Sequence, residues 1–150
     1  MSCNIILIGK NQVGKTSYIN SITTGKFTND KSLLSDISQV PYEIVINDKI
    51  LSINFTTDIE TADICIIMID ISDYSSLFYD EIFGVPTILI SNKWDLQREI
   101  SDEILEELII DMSHISHIPI SVKNEYNILY SVKHLVKSLY GPEAIIRKIE

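Results

Sequence analysis

Cysteines and basic residues are scarce in this sequence, and each shortage excludes a class of protein. Only Cys3 and Cys65 occur among the 150 residues, too few for a disulfide framework, so we expect a reducing, cytoplasmic environment. The 12 lysines and arginines stand against 21 acidic residues, which gives a formal net charge of −9. A charge of this sign argues against nucleic acid as a partner and against an anionic membrane surface.

Long apolar runs and signals for lipid attachment are missing as well. The longest apolar run, at 64–69, is bounded by Asp63 and Asp70 and is much too short to span a bilayer. The sequence ends in RKIE without a prenylation cysteine, and Ser2 stands where myristoylation needs glycine. We therefore expect neither a membrane span nor a lipid anchor.

Short apolar runs alternate with amphipathic segments, which predicts one α/β domain over residues 1–150. Apolar runs predict six strands, and Asn47-Asp48 predicts a tight turn between the second and third. Periodic apolar positions predict three helices, the second with Ser101 as N-cap and the third ending at Gly141. The predicted strands are 4–9, 42–47, 49–55, 64–69, 87–91 and 118–121, and the predicted helices are 15–24, 101–112 and 125–140.

A phosphate-binding motif follows the first predicted strand. Residues 9–16 read GKNQVGKT, which matches G-x-x-x-x-G-K-[ST]. Its glycines let successive backbone N–H groups point at phosphate oxygens, Lys15 can reach the β- and γ-phosphates, and the Thr16 hydroxyl can bind Mg²⁺. A strand leads in and a helix leads out, so a chance glycine turn explains the motif less well. We expect nucleotide contacts from Asn11, Gln12, Val13, Gly14, Lys15, Thr16 and Ser17.

Two further motifs follow the fifth and sixth predicted strands. Asn92-Lys93-Trp94-Asp95 offers a carboxylate that can accept from N1–H and N2–H₂ of guanine, and adenine lacks this pair of donors. A surface turn would explain these four residues on their own, but open α/β sheets bind ligands at the carboxyl ends of their strands. Ser121-Val122-Lys123 is a weaker signal, which a strand-terminating turn explains equally well.

In this order and spacing, the three motifs resemble those of the Ras superfamily of small GTPases, over nearly the whole chain. The resemblance implies a P-loop NTPase fold with a six-stranded, mostly parallel sheet, helices on both faces, and GTP or GDP with Mg²⁺ as ligands. It also implies that Lys93 lies along the base and that the Val122 N–H meets guanine O6. By the same resemblance, Phe27 lies near the base, and Ser121 and Lys123 belong to the base site.

The stretch after the third predicted strand departs from this family's pattern. The family's Asp that holds a Mg²⁺-bound water corresponds to Phe55, its γ-phosphate-sensing Gly to Asp58, and its water-orienting Gln to Ile59. An apolar ring cannot order a hydrated cation, and a carboxylate beside the γ-phosphate adds repulsion. We therefore predict that GTP hydrolysis is very slow or absent. A three-residue slip of the strand would instead bring Asp58 and Glu60 near Mg²⁺.

The length of the next connection also predicts that the family's switch II helix is absent. The seven connecting residues, 56–62, reach at most about 23–25 Å when extended. The connection must return along a strand of roughly 17–20 Å and step sideways by about 10 Å, which uses nearly all of that reach. The following crossover, 71–84, has room only for a short helix around 75–83, a shortened form of the helix that the family has at this place. In switch I, the family's Mg²⁺-binding Thr falls at Leu34, which makes Ser35 the candidate ligand beside Thr16.

Three functions fit these patterns. The favoured one is a guanine-nucleotide-binding module of signalling or trafficking, with a protein effector or regulator as partner. The alternative is a slow GTPase switch that works through switch I while a partner completes the site. A scaffold without nucleotide would not need Lys15, Thr16 and Asp95 together. His114 and His117 lack a third metal ligand and are better explained as a loop at a strand start.

Overall fold

The computed structural model describes residues 2–24, 42–77, 84–113 and 115–148. These ranges contain seven strands in one sheet and three α-helices. The strands are β1 (Ser2–Ile8), β2 (Tyr42–Ile46), β3 (Lys49–Thr56), β4 (Ile64–Asp70), β5 (Thr87–Asn92), β6 (His117–Pro119) and β7 (Ile146–Lys148). The helices are α1 (Lys15–Thr24), α2 (Asp102–Asp111) and α3 (Ile128–Tyr140).

The sheet is mostly parallel, in the order β6-β5-β4-β1-β3-β2-β7. Parallel pairs join β1 to β3 and β4, β4 to β5, and β5 to β6, while β2 runs antiparallel to β3 and β7. The α/β class and all six predicted strands are confirmed. The predicted number of six strands is one too low for the described residues, because the short strand β7 pairs with the outer side of β2. Asn47 holds the start of β7 by accepting a hydrogen bond from Ile145 N at 3.1 Å.

Helices cover both faces of the sheet, as predicted. All seven residues of β4 are buried, and their side chains alternate between two hydrophobic clusters. One cluster joins the sheet to α1 and α3 through residues such as Tyr18 and Leu135. The other joins it to α2 through Leu105. A continuous apolar strand such as 64–69 is therefore explained by helices on either side.

Local signals set most of the element boundaries. Ser101 caps α2 by accepting from Ile104 N at 3.3 Å, as predicted. The Asn47-Asp48 turn has φ of 48° and 66° and joins β2 to β3, also as predicted. Helix α3 ends at Gly141 but begins at Ile128 rather than at 125. The start is later because the backbone of Asn127 is left-handed, with φ 60°, and its side chain donates to the Pro119 carbonyl at 3.0 Å.

The connector between β3 and β4 lacks an α-helix, but for a reason other than the predicted one. Residues 57–63 hold a single turn of 3₁₀ helix, Ile59–Thr61. In the sheet register, Ile6 of β1 pairs with Thr56 and Ile5 pairs with Ile64. The two strand ends therefore lie at nearly the same height, so the chain crosses β1 without returning along a full strand. The predicted taut connection is wrong, while the missing helix is confirmed.

The next crossover begins with another 3₁₀ turn, Tyr74–Leu77. The remainder of the predicted short helix, at 78–83, lies outside the described residues. Within the described ranges, none of the helices combines the length and apolar character required to cross a membrane.

Candidate functional site

The three sequence motifs meet at one edge of the sheet, because they follow strands that run in the same direction. The loop after β1 carries residues 9–14, the loop after β5 begins at Lys93, and the segment after β6 contains Ser121. The strands β5, β4 and β1 are adjacent in the sheet. Their carboxyl ends therefore present these loops side by side, in the position where open α/β sheets bind ligands.

Close packing explains the two glycines of the phosphate loop. A Cβ on Gly9 would lie 2.5 Å from the Met68 carbonyl oxygen, and one on Gly14 would lie 2.3 Å from Asn92 Nδ2. Gly14 also has φ of 105°, where side chains are strained. Gln12 has φ of 74° in the same loop and stays exposed. Lys15 donates from Nζ to the Gly9 carbonyl, so its ammonium group lies over the loop.

The side chain of Asn92 ties all three motifs together. It is 2% exposed, and its Nδ2 donates to the Val13 carbonyl of the phosphate loop at 3.0 Å. Its Oδ1 accepts from Val122 N at 3.2 Å and from Lys93 N at 2.7 Å. The structure shows Asn92 as an internal support of these loops, and its contact with nucleotide stays a prediction.

Asp95 is held with one of its oxygens fixed by Ser121. The Ser121 hydroxyl donates to Asp95 Oδ1 at 2.6 Å and accepts from Asn124 N at 3.1 Å. Asp95 is half-buried, and Ser121 bonds only one of its two carboxylate oxygens. This geometry leaves a carboxylate oxygen at the carboxyl edge that can accept from a ligand. The predicted Ser121 is therefore brought to Asp95, whereas Lys123 is exposed on the adjoining turn.

Lys93 links the base-reading motif to the phosphate loop. Its Nζ lies 3.0 Å from Asp70 Oδ2 and donates to the Gln12 carbonyl at 2.7 Å. Asp70, at the end of β4, is 5% exposed and also accepts from the Ser72 hydroxyl at 2.6 Å. From the sequence, Asp70 is identified only as the residue that ends an apolar run. An acidic residue at the carboxyl end of a central buried strand is the signal that would have identified it.

Three further side chains support the loop after β5, and the contacts between them are not predicted from the sequence. The Trp94 indole Nε1 donates to Ser91 Oγ at 2.7 Å, and Ser91 Oγ lies 2.7 Å from His117 Nε2. Burial first, and then the nearby Arg98 guanidinium, lower the pKa of His117. The Nε2 atom of His117 is thus engaged by Ser91. His114, its predicted companion, lies outside the described residues.

The described residues offer few ligands to a metal ion. No group of three or more His, Cys, Asp or Glu side chains is placed to hold one in the described ranges. Thr16 is exposed at the first turn of α1, and one hydroxyl fits Mg²⁺ only if phosphate oxygens and waters complete the octahedron, as is usual in nucleotide sites. Ser35, the second predicted metal ligand, and Phe27, the predicted base contact, lie outside the described residues.

The residues that the resemblance aligns with a catalytic segment, Phe55 and Asp58 among them, make other contacts. Phe55 packs, partly buried, against the cluster beneath α1 and α3. Asp58 caps the first 3₁₀ turn by accepting from Glu60 N at 3.0 Å. The connector then moves toward the start of β1, where Asp63 N donates to the Asn4 carbonyl at 2.8 Å. This direction leads away from the phosphate loop.

The turn after β4 also contacts the phosphate loop. Lys10 Nζ donates to Ser75 Oγ at 2.7 Å. Ser75 in turn donates from its hydroxyl and its backbone N–H to Asp73, and these two bonds lower the pKa of that exposed carboxyl. The phosphate loop is therefore supported from two sides, by Lys93 and by this turn.

No protein-family model matches the chain, and no curated protein matches it either. The function is therefore inferred from the geometry of the site.

Proposed function

We propose that this protein binds guanine nucleotides, GDP or GTP with Mg²⁺, in a P-loop NTPase fold similar to that of the Ras superfamily, and hydrolyses GTP very slowly or not at all. The observation that carries the proposal is the position of Asn92. Its side chain joins the Val13 carbonyl to the Val122 N–H at 3.0 and 3.2 Å. These two bonds hold residues 9–14 and residues 121–123, the segments that we propose contact the phosphates and the base, on either side of one buried amide.

The phosphate half of the proposal is supported by loop conformation and charge. Gly9 and Gly14 allow the close approach of backbone that a phosphate cradle needs. Lys15, whose Nζ caps the loop at the Gly9 carbonyl, can exchange that contact for phosphate oxygens. In a chain of net charge −9, these local groups, together with the start of α1, provide the positive potential that a polyphosphate requires.

The base half is supported by the donor and acceptor pattern. Asp95 presents Oδ2 as an acceptor while Ser121 holds Oδ1. Guanine offers two N–H donors on one edge, and a carboxylate pairs with both. Adenine would leave that carboxylate without donors, at a cost of about 1.5–3 kcal/mol for each charged hydrogen bond.

Slow or absent hydrolysis is supported by where β3 ends. Thr56 pairs with Ile6, and the phosphate loop begins three residues later at Gly9, directly after the end of β1. Three residues of strand span about 10 Å. The chain after Thr56 then turns toward Asn4, as the bond from Asp63 N to the Asn4 carbonyl shows. The segment that would orient an attacking water therefore ends short of the terminal phosphate.

A nucleotide-binding protein without its own hydrolysis needs other proteins to make use of the bound state. We therefore propose a role as a cytoplasmic signalling or trafficking module with a protein effector or regulator. Two buried free cysteines, Cys3 and Cys65, support the reducing compartment.

Trp94 is the sole tryptophan and precedes Asp95 in the chain, so its fluorescence should respond to changes in the loop that carries Asp95. Titration with GDP, GTP and ATP should give saturable changes at micromolar concentration with the guanine nucleotides and none with ATP. Equal responses to GDP and ATP would refute the proposal.

An Asp95→Asn variant sharpens this test, because it replaces an acceptor with an amide. Guanine binding should fall, and xanthosine diphosphate, which carries a carbonyl in place of the 2-amino group, should bind better than it does to the wild type. Lys137→Ala, at an exposed position in the last turn of α3, is a control that should bind as the wild type does, whereas Lys15→Ala should lose nucleotide.

Hydrolysis is measured separately, in a single turnover of bound GTP. No release of phosphate over hours is expected. Rapid release by the protein alone would contradict this half of the proposal, and release only after addition of a cell extract would indicate a switch whose site a partner completes.

A further inference from the structure

A chain of polar contacts runs beneath the base-reading loop, on the α2 side of the sheet. It begins at Trp94, whose indole Nε1 donates to Ser91 Oγ at 2.7 Å. Ser91 has no exposed surface, and its hydroxyl lies 2.7 Å from His117 Nε2 on β6. The two neighbours Lys93 and Asp95 belong to the proposed nucleotide site, while Trp94 between them points into the protein and packs against the cluster beneath α2.

One arrangement of donors and acceptors gives the Trp94 indole N–H, the Ser91 hydroxyl and His117 Nε2 each a partner among these three side chains. The Trp94 indole is a donor and nothing else, so Ser91 accepts from it. In that arrangement the Ser91 hydroxyl hydrogen donates to His117 Nε2, which is unprotonated. If His117 carried two protons, Ser91 would face two donors, and its own hydrogen would lack an acceptor at a fully buried position.

The opposite face of Trp94 is covered by Arg98. The Arg98 Cζ atom lies 4.4 Å from the centroid of the Trp94 ring, a cation–π contact. The guanidinium is itself held, by donation from Nη2 to Asp102 Oδ1 at 2.7 Å and from Nε to the Ile100 carbonyl at 3.2 Å. The indole is therefore fixed in its plane by Arg98 and fixed in its direction by Ser91.

We propose that Ser91 and His117 are positioning residues for the base-reading loop, which they hold through Trp94, and that protonation of His117 releases this hold. The proposal rests on the proposed function, because it makes guanine affinity depend on His117. Neither residue reaches the ligand edge, since both lie on the α2 side of the sheet. Their effect passes through Trp94 to the adjacent Asp95 and Lys93.

The direction of the pH effect follows from the surroundings of His117. Burial and then the positive charge of Arg98, itself paired with Asp102, lower its pKa below the ordinary value of about 6.5. Unfolded protein therefore binds the proton more readily than folded protein. The tether is intact above about pH 6.5, and its contribution to stability is lost as the pH falls below that value.

The first experiment uses the nucleotide-free protein and follows Trp94 emission from pH 8 to pH 5. Emission of the wild type should change in a step below pH 6.5. His117→Gln keeps an acceptor for Ser91 but cannot titrate in this range, so its emission should be flat. His134→Gln, which alters a histidine on α3 next to Tyr130, is the matched control and should keep the step. A step that persists in His117→Gln overturns the proposal.

The second experiment measures the dissociation rate of GDP by stopped flow at pH 7.5 and 5.5. Ser91→Ala should release GDP about tenfold faster at pH 7.5, because the partly buried indole N–H of Trp94 loses its acceptor. The wild-type rate should rise on going to pH 5.5, and the rate for His117→Gln should not. Identical pH profiles for the wild type and His117→Gln would overturn the positioning role, even if Ser91→Ala failed to fold.

The two experiments separate the possible failures. If GDP binds but the wild-type emission shows no step, the tether is refuted and the proposed function stands. If GDP does not bind at all, the proposed function fails together with the positioning role, and the emission still shows whether Trp94 is tethered.

Discussion

Replacing Asn92 with alanine is the substitution for which the structure predicts the largest and broadest effect. The side chain makes three hydrogen bonds, to the Val13 carbonyl, Val122 N and Lys93 N. Alanine supplies none of them, and Asn92 is only 2% exposed, so water does not readily replace it. At about 1 kcal/mol for each bond, the free energy of unfolding should fall by about 3 kcal/mol.

Thermal unfolding measures this loss. For a domain of this size, about 3 kcal/mol corresponds to a decrease in Tm of about 6–12 °C. The control is Asn124→Ala, at an exposed position in the turn after Ser121, which should leave Tm within about 2 °C. GDP affinity should fall with Asn92→Ala as well, because the phosphate and base loops lose their common support. A Tm equal to that of the control would show that Asn92 does not join the loops.

Further predictions concern other parts of the fold. Ser131→Ala should destabilise the protein more than Tyr18→Phe in urea unfolding, because it strands the fully buried Tyr18 hydroxyl, now 2.7 Å from Ser131 Oγ; the reverse order would contradict this contact. Gly14→Ala should abolish nucleotide binding and lower Tm, since its Cβ would lie 2.3 Å from Asn92 Nδ2 at a φ of 105°; retained binding would contradict the tight packing. Burial, and to a lesser extent the charge of Asp63, raises the thiol pKa of Cys3 to about 12. Burial raises the thiol pKa of Cys65 to about 11. Iodoacetamide at pH 8 should therefore label both thiols at least about 100-fold more slowly in the folded protein than in denaturant. Equal labelling rates would show that the thiols are accessible.

The features that could be predicted from the sequence are those with local causes. Continuous apolar runs specify central strands such as β4, and Ser101 and Gly141 mark helix ends through their own backbone and side-chain chemistry. The phosphate motif at 9–16 is equally local, because it needs only a strand, a turn and a helix in succession. These elements place the three motif loops at one edge of the sheet without further information.

The remaining features depend on contacts between distant residues. The β3–β4 connector was predicted to be taut because the stagger of the strands, with Ile6 opposite Thr56 and Ile5 opposite Ile64, has no signature in the sequence. Strand β7 has only three residues, too few for an alternating pattern.

The polar networks behind the site are equally non-local. Asp70 meets Lys93 across two strands, and His117 meets Ser91, 26 residues earlier in the chain. Each of these residues has an ordinary explanation when taken alone. Only the pairing of their strands brings them together around the loop that follows β5.

Selectivity between GDP and ADP tests the central claim most directly. Isothermal titration calorimetry with the wild-type protein in Mg²⁺ buffer gives both dissociation constants under one condition. Two charge-assisted hydrogen bonds to Asp95, at about 1.5–3 kcal/mol each, correspond to a preference of about 10²–10⁴-fold for GDP. Dissociation constants for GDP and ADP that agree within about threefold would contradict a guanine-reading site.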